Sequence, residues 1–192
     1  MLLFYFYIVI EVLSGVAVSL GVGSSTFAII FYFMGMRHPE LHDAGRAYQK
    51  VVYIVLRVAM GLILLTELIK IGLYLYTGAT LKELFAVDAL TFIWTIVAVL
   101  FANAILMTLH RMRVELGPAI QATSWYTLGA LSALPAGIVS FSYLPLLLTY
   151  AGLVLAAAVI IEAIRQRVNR SGEVAAVEAI MIEAVVVDEE DT

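Results

Sequence analysis

The chain has 192 residues, 63% hydrophobic and 14% charged, and its mean hydropathy of +1.01 is too high for a soluble domain, in which about half the residues are apolar. With spans of about 20 residues, only short loops are left over and no separate soluble catalytic domain fits; the absence of cysteine also excludes disulfide frameworks, thiolate zinc sites and iron–sulfur ligation. The formal charge of −4 hides an asymmetry, because residues 1–170 hold 11 basic and 8 acidic groups, a net +3, whereas residues 171–192 hold 7 acidic groups and no basic one.

The first apolar run extends from Met1 to Met36 with Glu11 as its only charge. As one helix it is about 54 Å long against a hydrocarbon core of about 30 Å, so it tilts, overhangs or breaks. Gly21 and Gly23 are the candidate break, since glycine lowers helix propensity. The favoured reading is a continuous helix that uses small residues for close packing, with Gly15, Ser19 and Gly23 on one four-residue ladder and Ala17, Gly21 and Ser25 on another. Met1 to Ile10 has no basic n-region, so it reads as part of an uncleaved span rather than a signal peptide.

Arg37 to Lys50 is a polar loop or short surface helix. The second span follows from about Tyr48 to Tyr76 and carries Arg57, Glu67 and Lys70. Gly78 can close it, and Thr80 with Glu83 three residues later forms a capping-box pattern that opens the third span, which runs through Asp88 and Asn103 to about His110. Arg111 and Arg113 suit a helix C-terminus, Gly117 a C-cap, and Pro118 the first turn of a short, more polar fourth span, Pro118 to Leu134, with a kink expected at Pro135. Pro145 starts the fifth span, which ends near Ile164 before Arg165, Arg167 and Arg170.

With five spans, Arg37, Arg46, Lys50, Arg111, Arg113, Arg165, Arg167 and Arg170 fall on one side and only Lys82 on the other. The positive-inside rule then places the N-terminus outside and the C-terminus in the cytoplasm. Residues 1–170 thus form a transmembrane helical bundle and residues 171–192 an acidic cytoplasmic tail. Apolar Val174, Val177, Ile180, Met181 and Ala184 would let the tail dock as a helix, but Glu173, Glu178, Glu183 and Asp188 recur every five residues and spread around it, which favours a mobile tail.

Depth, at about 1.5 Å per residue from the centre of each span, sorts the polar residues into two layers. Glu11, Glu67, Lys70 and Asp88 share the outer half. In the inner half Arg57 sits level with Ser24, Ser25 and Asn103, facing Gln121. Helical rotation places Glu11, Gly15, Val18, Val22 and Ser25 on one stripe, and Asp88, Thr91, Thr95, Val99 and Asn103 on another. Lys70 turns away from Arg57 and is expected to snorkel outward.

A charge at a helix centre costs roughly 2.5–3.5 kcal/mol on insertion scales, so these groups should face the bundle and be paired or hydrated. Arg57 is always protonated and needs acceptors: the hydroxyls of Ser24, Ser25 and Thr26, the amides of Asn103 and Gln121, or an external anion. A carboxylic acid differs, since it can take up a proton and become neutral.

His38 and His42, with Glu40 and Asp43, have i, i+4 spacing for a divalent metal, but Pro39 favours a helix that starts after His38, so a solvated loop is preferred. No histidine lies inside a span, which argues against a bis-histidine haem. The serines have no histidine at their depth to act as base, and GVGSST lacks the lysine of a phosphate loop; an intramembrane enzyme ranks last.

LGVGSST at Leu20 to Thr26, set between a short apolar segment and an aromatic stretch with a basic loop, resembles the first helix of small bacterial multi-pass membrane proteins of the copper-resistance-D type. The resemblance covers little more than the first span. It implies a four- or five-helix inner-membrane bundle, while the helix-borne histidines that would support metal or haem binding are absent here.

The sequence therefore reads as an all-α integral membrane bundle of five transmembrane helices in a bacterial inner membrane. Its function is a proton, ion or small-solute transport component, with Glu11, Glu67, Lys70, Asp88, Arg57, Ser24, Ser25, Asn103 and Gln121 as the polar cluster. The alternative is a structural or assembly subunit in which the same residues act as interhelical glue. A water-accessible space between Glu11, Glu67 and Asp88 would favour transport, and direct pairing the alternative. Expected partners are the lipid bilayer and either a second copy or another membrane subunit; no cofactor, metal site or nucleic-acid partner is expected.

Overall fold

The computed structural model describes residues 1–37, 42–78, 80–109, 111–112, 116–134 and 142–190, with side chains described outside residues 2, 35–46 and 169–192. Every regular element among these is helical: α1 (Leu2–Arg37), α2 (His42–Tyr76), α3 (Leu81–Phe85), α4 (Asp88–Thr108), α5 (Leu116–Ala133) and α6 (Tyr143–Glu190). Four of them, α1, α2, α4 and α6, contain segments long and apolar enough to cross a membrane, the signature of a multi-pass membrane protein. Their outer surfaces carry exposed Val12, Phe27, Ile54, Leu65, Leu148, Leu155 and Val159. In water such apolar surface would be a liability; against lipid tails it is the matching solvent.

The fifth long helix, α5, is the element that the others enclose. Its 18 residues measure about 27 Å, and it packs against α1, α4 and α6. Gly117, Ala119, Gln121, Ala122, Thr123, Ser124, Trp125 and Leu128 are all buried along it. Enclosure explains its composition, because a helix shielded by protein can carry hydroxyls and amides that find partners on neighbouring helices. The apolar core around it comprises Phe92, Ile96, Val97 and Leu100 of α4, Leu56, Ala59 and Ile63 of α2, and Ala17 and Val18 of α1.

α1 is continuous through Gly21 and Gly23, as the packing reading of those glycines expects. The two small-residue ladders divide by face. Ala17, Gly21 and Ser25 point into the bundle, whereas Gly15 and Ser19 are exposed. Gly21 lies under the fully buried Trp125 ring, and a Cβ there would run into the indole. Gly23 has open space where a Cβ would stand, so only one glycine of the pair is required for close approach. On α5, Gly129 leaves room for Val22, whose methyl group would stand 3.3 Å from a Cβ added there.

The turn after α2 follows its sequence signals. Gly78 takes φ +91°, a conformation open to glycine, and its N–H donates to the Leu75 carbonyl at 3.1 Å. The capping box at Thr80 forms in full: the Glu83 N–H donates to Thr80 Oγ1 at 3.3 Å and the Thr80 N–H to Glu83 Oε2 at 2.8 Å. Hydrogen bonding from the Thr80 backbone first, and from its side chain second, holds the Glu83 carboxyl below its ordinary range. The box opens the five-residue α3 rather than the third span itself. A turn at Ala86 and Val87 separates the two helices, and Thr91 Oγ1 ties them by donating to the Phe85 carbonyl at 2.8 Å.

At the opposite end, α4 stops at Thr108 and α5 begins at Leu116. Gly117 is therefore not a C-cap but lies in the first turn of α5, buried against the Met107 side chain. α6 carries Pro145 in its first turn and continues as one helix to Glu190. Arg113, His110 and Pro135 lie outside the described residues, as does His38 of the histidine pair; the side chains of His42, Asp43 and the acidic tail are likewise outside them.

Candidate functional site

The polar residues gather in two places. Toward the α2 C-terminus, Lys70 stands between two carboxylates: Nζ is 2.9 Å from Glu67 Oε1 and 3.2 Å from Glu11 Oε2. It also donates to Ser14 Oγ at 3.4 Å. Of the three protons the ammonium can donate, two are hydrogen-bonded, to Glu67 and Ser14, and Glu11 adds an ion pair. Lys70 therefore faces inward to its partners instead of snorkelling away, because α1 brings Glu11 and Ser14 alongside it. Glu67 is buried, with only 3% of its surface exposed, whereas the Glu11 side chain is 43% exposed. A small space of about 200 Å³ adjoins the group, lined by Tyr7, Glu11, Glu67, Lys70, Ile71, Tyr74, Leu90 and Ile93.

Asp88 is not part of this group. It occupies the first turn of α4 and is exposed, where a carboxylate complements the positive end of the helix dipole. The rest of its stripe serves contacts between helices. Thr95 Oγ1 lies 3.1 Å from the Tyr143 hydroxyl of α6, and Asn103 Nδ2 donates to the Gly117 carbonyl at 2.9 Å and to Gln121 Oε1 at 3.2 Å on α5.

The second place is a cavity of about 390 Å³ near the start of α2, the end of α4 and the start of α5. Its lining includes Ser25 and Ile29 of α1, Tyr53, Leu56, Arg57 and Met60 of α2, Met107 and Thr108 of α4, and Pro118 and Gln121 of α5. Small-molecule sites commonly have volumes of about 300–1,000 Å³. Ser25 is 2% exposed, yet its Oγ has no hydrogen-bond partner. Gln121 Nε2 meets only the weak acceptor Met60 Sδ, at 3.9 Å. Among the described residues Arg57 has no ion pair with any carboxylate, and its side chain also faces a shallower groove between α2 and α4.

Among the described residues no hydrogen bond joins Arg57 to its expected acceptors. Thr26 Oγ1 donates to the Val22 carbonyl at 2.8 Å and meets the Tyr126 hydroxyl at 2.6 Å. Asn103 is held by α5, and its Oδ1 is buried without a partner. Ser24 is buried but does not line the cavity. Of the inner set, then, Ser25, Arg57 and Gln121 share one space, Asn103 stands behind Gln121, and Ser24 lies apart.

Residues that the sequence reading passed over connect these layers. The Tyr150 hydroxyl of α6 meets Ser124 Oγ at 2.8 Å deep in the bundle, beside the Tyr126 and Tyr143 contacts. A tyrosine inside the expected fifth span, past Pro145, was the available signal. Among the described residues no group of three or more histidine, aspartate or glutamate side chains is placed to hold a metal ion.

The chain matches no known protein-family model, no curated protein and no solved structure. The resemblance of Leu20 to Thr26 to the copper-resistance-D-type group accordingly rests on those residues alone.

Proposed function

We propose that the protein is a five-span bundle of a bacterial inner membrane that binds a small solute or ion within the membrane as a transport component. In this reading α5 is the enclosed fourth span and α6 the fifth, the N-terminus is outside, and the basic residues flanking α1, α2, α4 and α6 lie in the cytoplasm. The observation that carries the reading is the 390 Å³ cavity in which Arg57, Ser25 and Gln121 all present hydrogen-bond donors. A permanently charged arginine without a counter-charge is costly at this depth, and a solute that brings an acceptor offsets the cost.

The outer group supports a different role. Lys70 satisfies Glu67 and Glu11 by direct pairing, which fits interhelical glue between α1 and α2 and an assembly function for that end. The two roles are separable by measurement. Currents on protein-containing proteoliposomes after a jump in anion concentration should appear with the intact chain and vanish with Arg57→Gln. A folded protein that gives no Arg57-dependent current with any tested anion or proton gradient would overturn the transport reading and leave the structural one.

A further inference from the structure

The inner cavity has a side opening. A groove of about 520 Å³ runs between α2 and α4, and it shares Arg57, Met60, Ala104 and Thr108 with the cavity. The remaining groove residues, Gly61, Phe101, Ile105 and Leu109, are apolar and belong to these two helices alone. α2 and α4 touch only sparsely, so the groove lies open on the lipid-facing surface, where Gly61, Ile105 and Leu109 are exposed. Neither space is lined by an acidic side chain among the described residues.

Side chains on a helix lean toward its N-terminus. For Arg57 that direction leads from mid-span toward the start of α2, the same end as Thr108 in the last turn of α4 and Pro118 in the first turn of α5. The guanidinium therefore reaches toward the headgroup level while its stem stays among apolar groups. Deeper in, the Ser25 hydroxyl is 98% buried by its 2% exposure and has no partner.

We infer that the site takes an amphiphile with a phosphate-type acidic headgroup, held by Arg57 and Ser25, whose acyl chain lies in the α2–α4 groove. Arginine and phosphate match in charge and in paired N–H···O geometry. Basic pockets between helices on the cytoplasmic side bind anionic lipid headgroups for this reason. A free anion would meet the same donors but would leave the apolar groove without use; a lipid fills both. The amphiphile enters sideways from the bilayer, between α2 and α4, and needs no aqueous path. The inference rests on the cavity being a binding site, as proposed above.

The test is retention of lipid by the full chain in native mass spectrometry, released from nanodiscs that contain phosphatidylglycerol and phosphatidylcholine of identical acyl chains. The expected result is about fivefold preference for phosphatidylglycerol: both lipids offer a phosphate to Arg57, but phosphatidylcholine adds a cation that opposes the guanidinium, and about fivefold is the ratio that one basic side chain confers toward anionic lipid. Arg57→Gln should abolish the preference and Ser25→Ala should reduce it. Gly61→Leu fills the groove where a Cβ meets no atom within 4 Å; it should weaken retention of both lipids while the fold and Arg57 are kept, which guards against a misfolded Arg57 variant. Equal retention of the two lipids, or a preference unchanged in Arg57→Gln, overturns the inference. If inorganic phosphate or glycerol phosphate binds as tightly as the lipid and Gly61→Leu has no effect, the amphiphile is wrong while the binding-site reading survives. Loss of every Arg57-dependent binding and current removes both.

Discussion

Lys70 and Arg57 lie on one helix, thirteen residues apart, and the bundle treats their charges in opposite ways. Lys70 pairs with Glu67 and Glu11 and donates to Ser14, and only 14% of its side chain is exposed. Arg57 is exposed, faces a cavity and a groove, and has no carboxylate partner among the described residues. The difference teaches where charge is used for cohesion and where it is left available. A paired buried charge contributes mainly by not being broken, whereas an unpaired one has its interaction free energy still to gain.

The largest effect should follow from breaking the pair. Lys70→Met removes the one cation beside the buried Glu67 and should destabilise by about 3–5 kcal/mol, the range for a buried ion pair that loses one partner. Thermal unfolding in a fixed lipid nanodisc measures this. The double variant Lys70→Met, Glu67→Leu should recover most of the loss; if the single variant is neutral, the outer group is not cohesive and the contrast with Arg57 disappears.

Between the two layers α1 makes its tightest approach to α5 at Gly21. Gly21→Leu drives a side chain into the Trp125 ring and should cost about 1–3 kcal/mol as overpacking, or prevent assembly. Gly23→Leu and Gly72→Leu meet no atom within 4 Å and should be tolerated about equally, within about 0.5 kcal/mol, as surface changes usually are. A loss at Gly23 that matched the loss at Gly21 would mean that α1 packs through both ladders.

Much of this layout can be read from the residues, and the remainder fails for one physical reason. Hydropathy locates the long apolar helices, Thr80 and Glu83 announce their capping box, and depth arithmetic brings Glu11, Glu67 and Lys70 to one level. Depth, however, gives height along the membrane normal and not position around the bundle. Asp88 shares the outer half yet sits on an exposed first turn, and Asn103 shares the level of Arg57 yet bonds to Gly117 and Gln121 instead. Which helices are neighbours depends on packing order, and a single sequence does not encode that order locally. The same holds for Gly21 and Gly23, identical residues two positions apart on different faces. α5 is the further case: its polar composition suggests weakness as a span, whereas it is the helix the others surround.

A smaller loss separates glue from site within the inner layer. Asn103→Ala removes two hydrogen bonds from the α4–α5 contact, to the Gly117 carbonyl and to Gln121 Oε1, and leaves the buried Gln121 Oε1 without that donor. The expected cost is about 1 kcal/mol, between the mean for interhelical hydrogen bonds in membranes and that for a buried group left unsatisfied. Unfolding should shift while anion currents through the Arg57 cavity are kept, since Asn103 stands behind Gln121 and does not line the space. Currents that fell as far as with Arg57→Gln would place Asn103 in the site.

The smallest expected change in stability is at Arg57. Among the described residues no ion pair is lost in Arg57→Met, and a charge that must otherwise find an acceptor is removed. In a nanodisc of zwitterionic lipid the unfolding temperature should therefore stay the same or rise slightly, within about 0.5 kcal/mol of the parent. In anionic lipid the parent should gain stability that the variant lacks, because a ligand that binds only the folded state stabilises it by mass action. The two lipid conditions thus distinguish a charge held for a ligand from one held for the fold. A destabilisation in zwitterionic lipid comparable to that of Lys70→Met would show that Arg57 is structural after all, and that the two ends of α2 use charge in the same way.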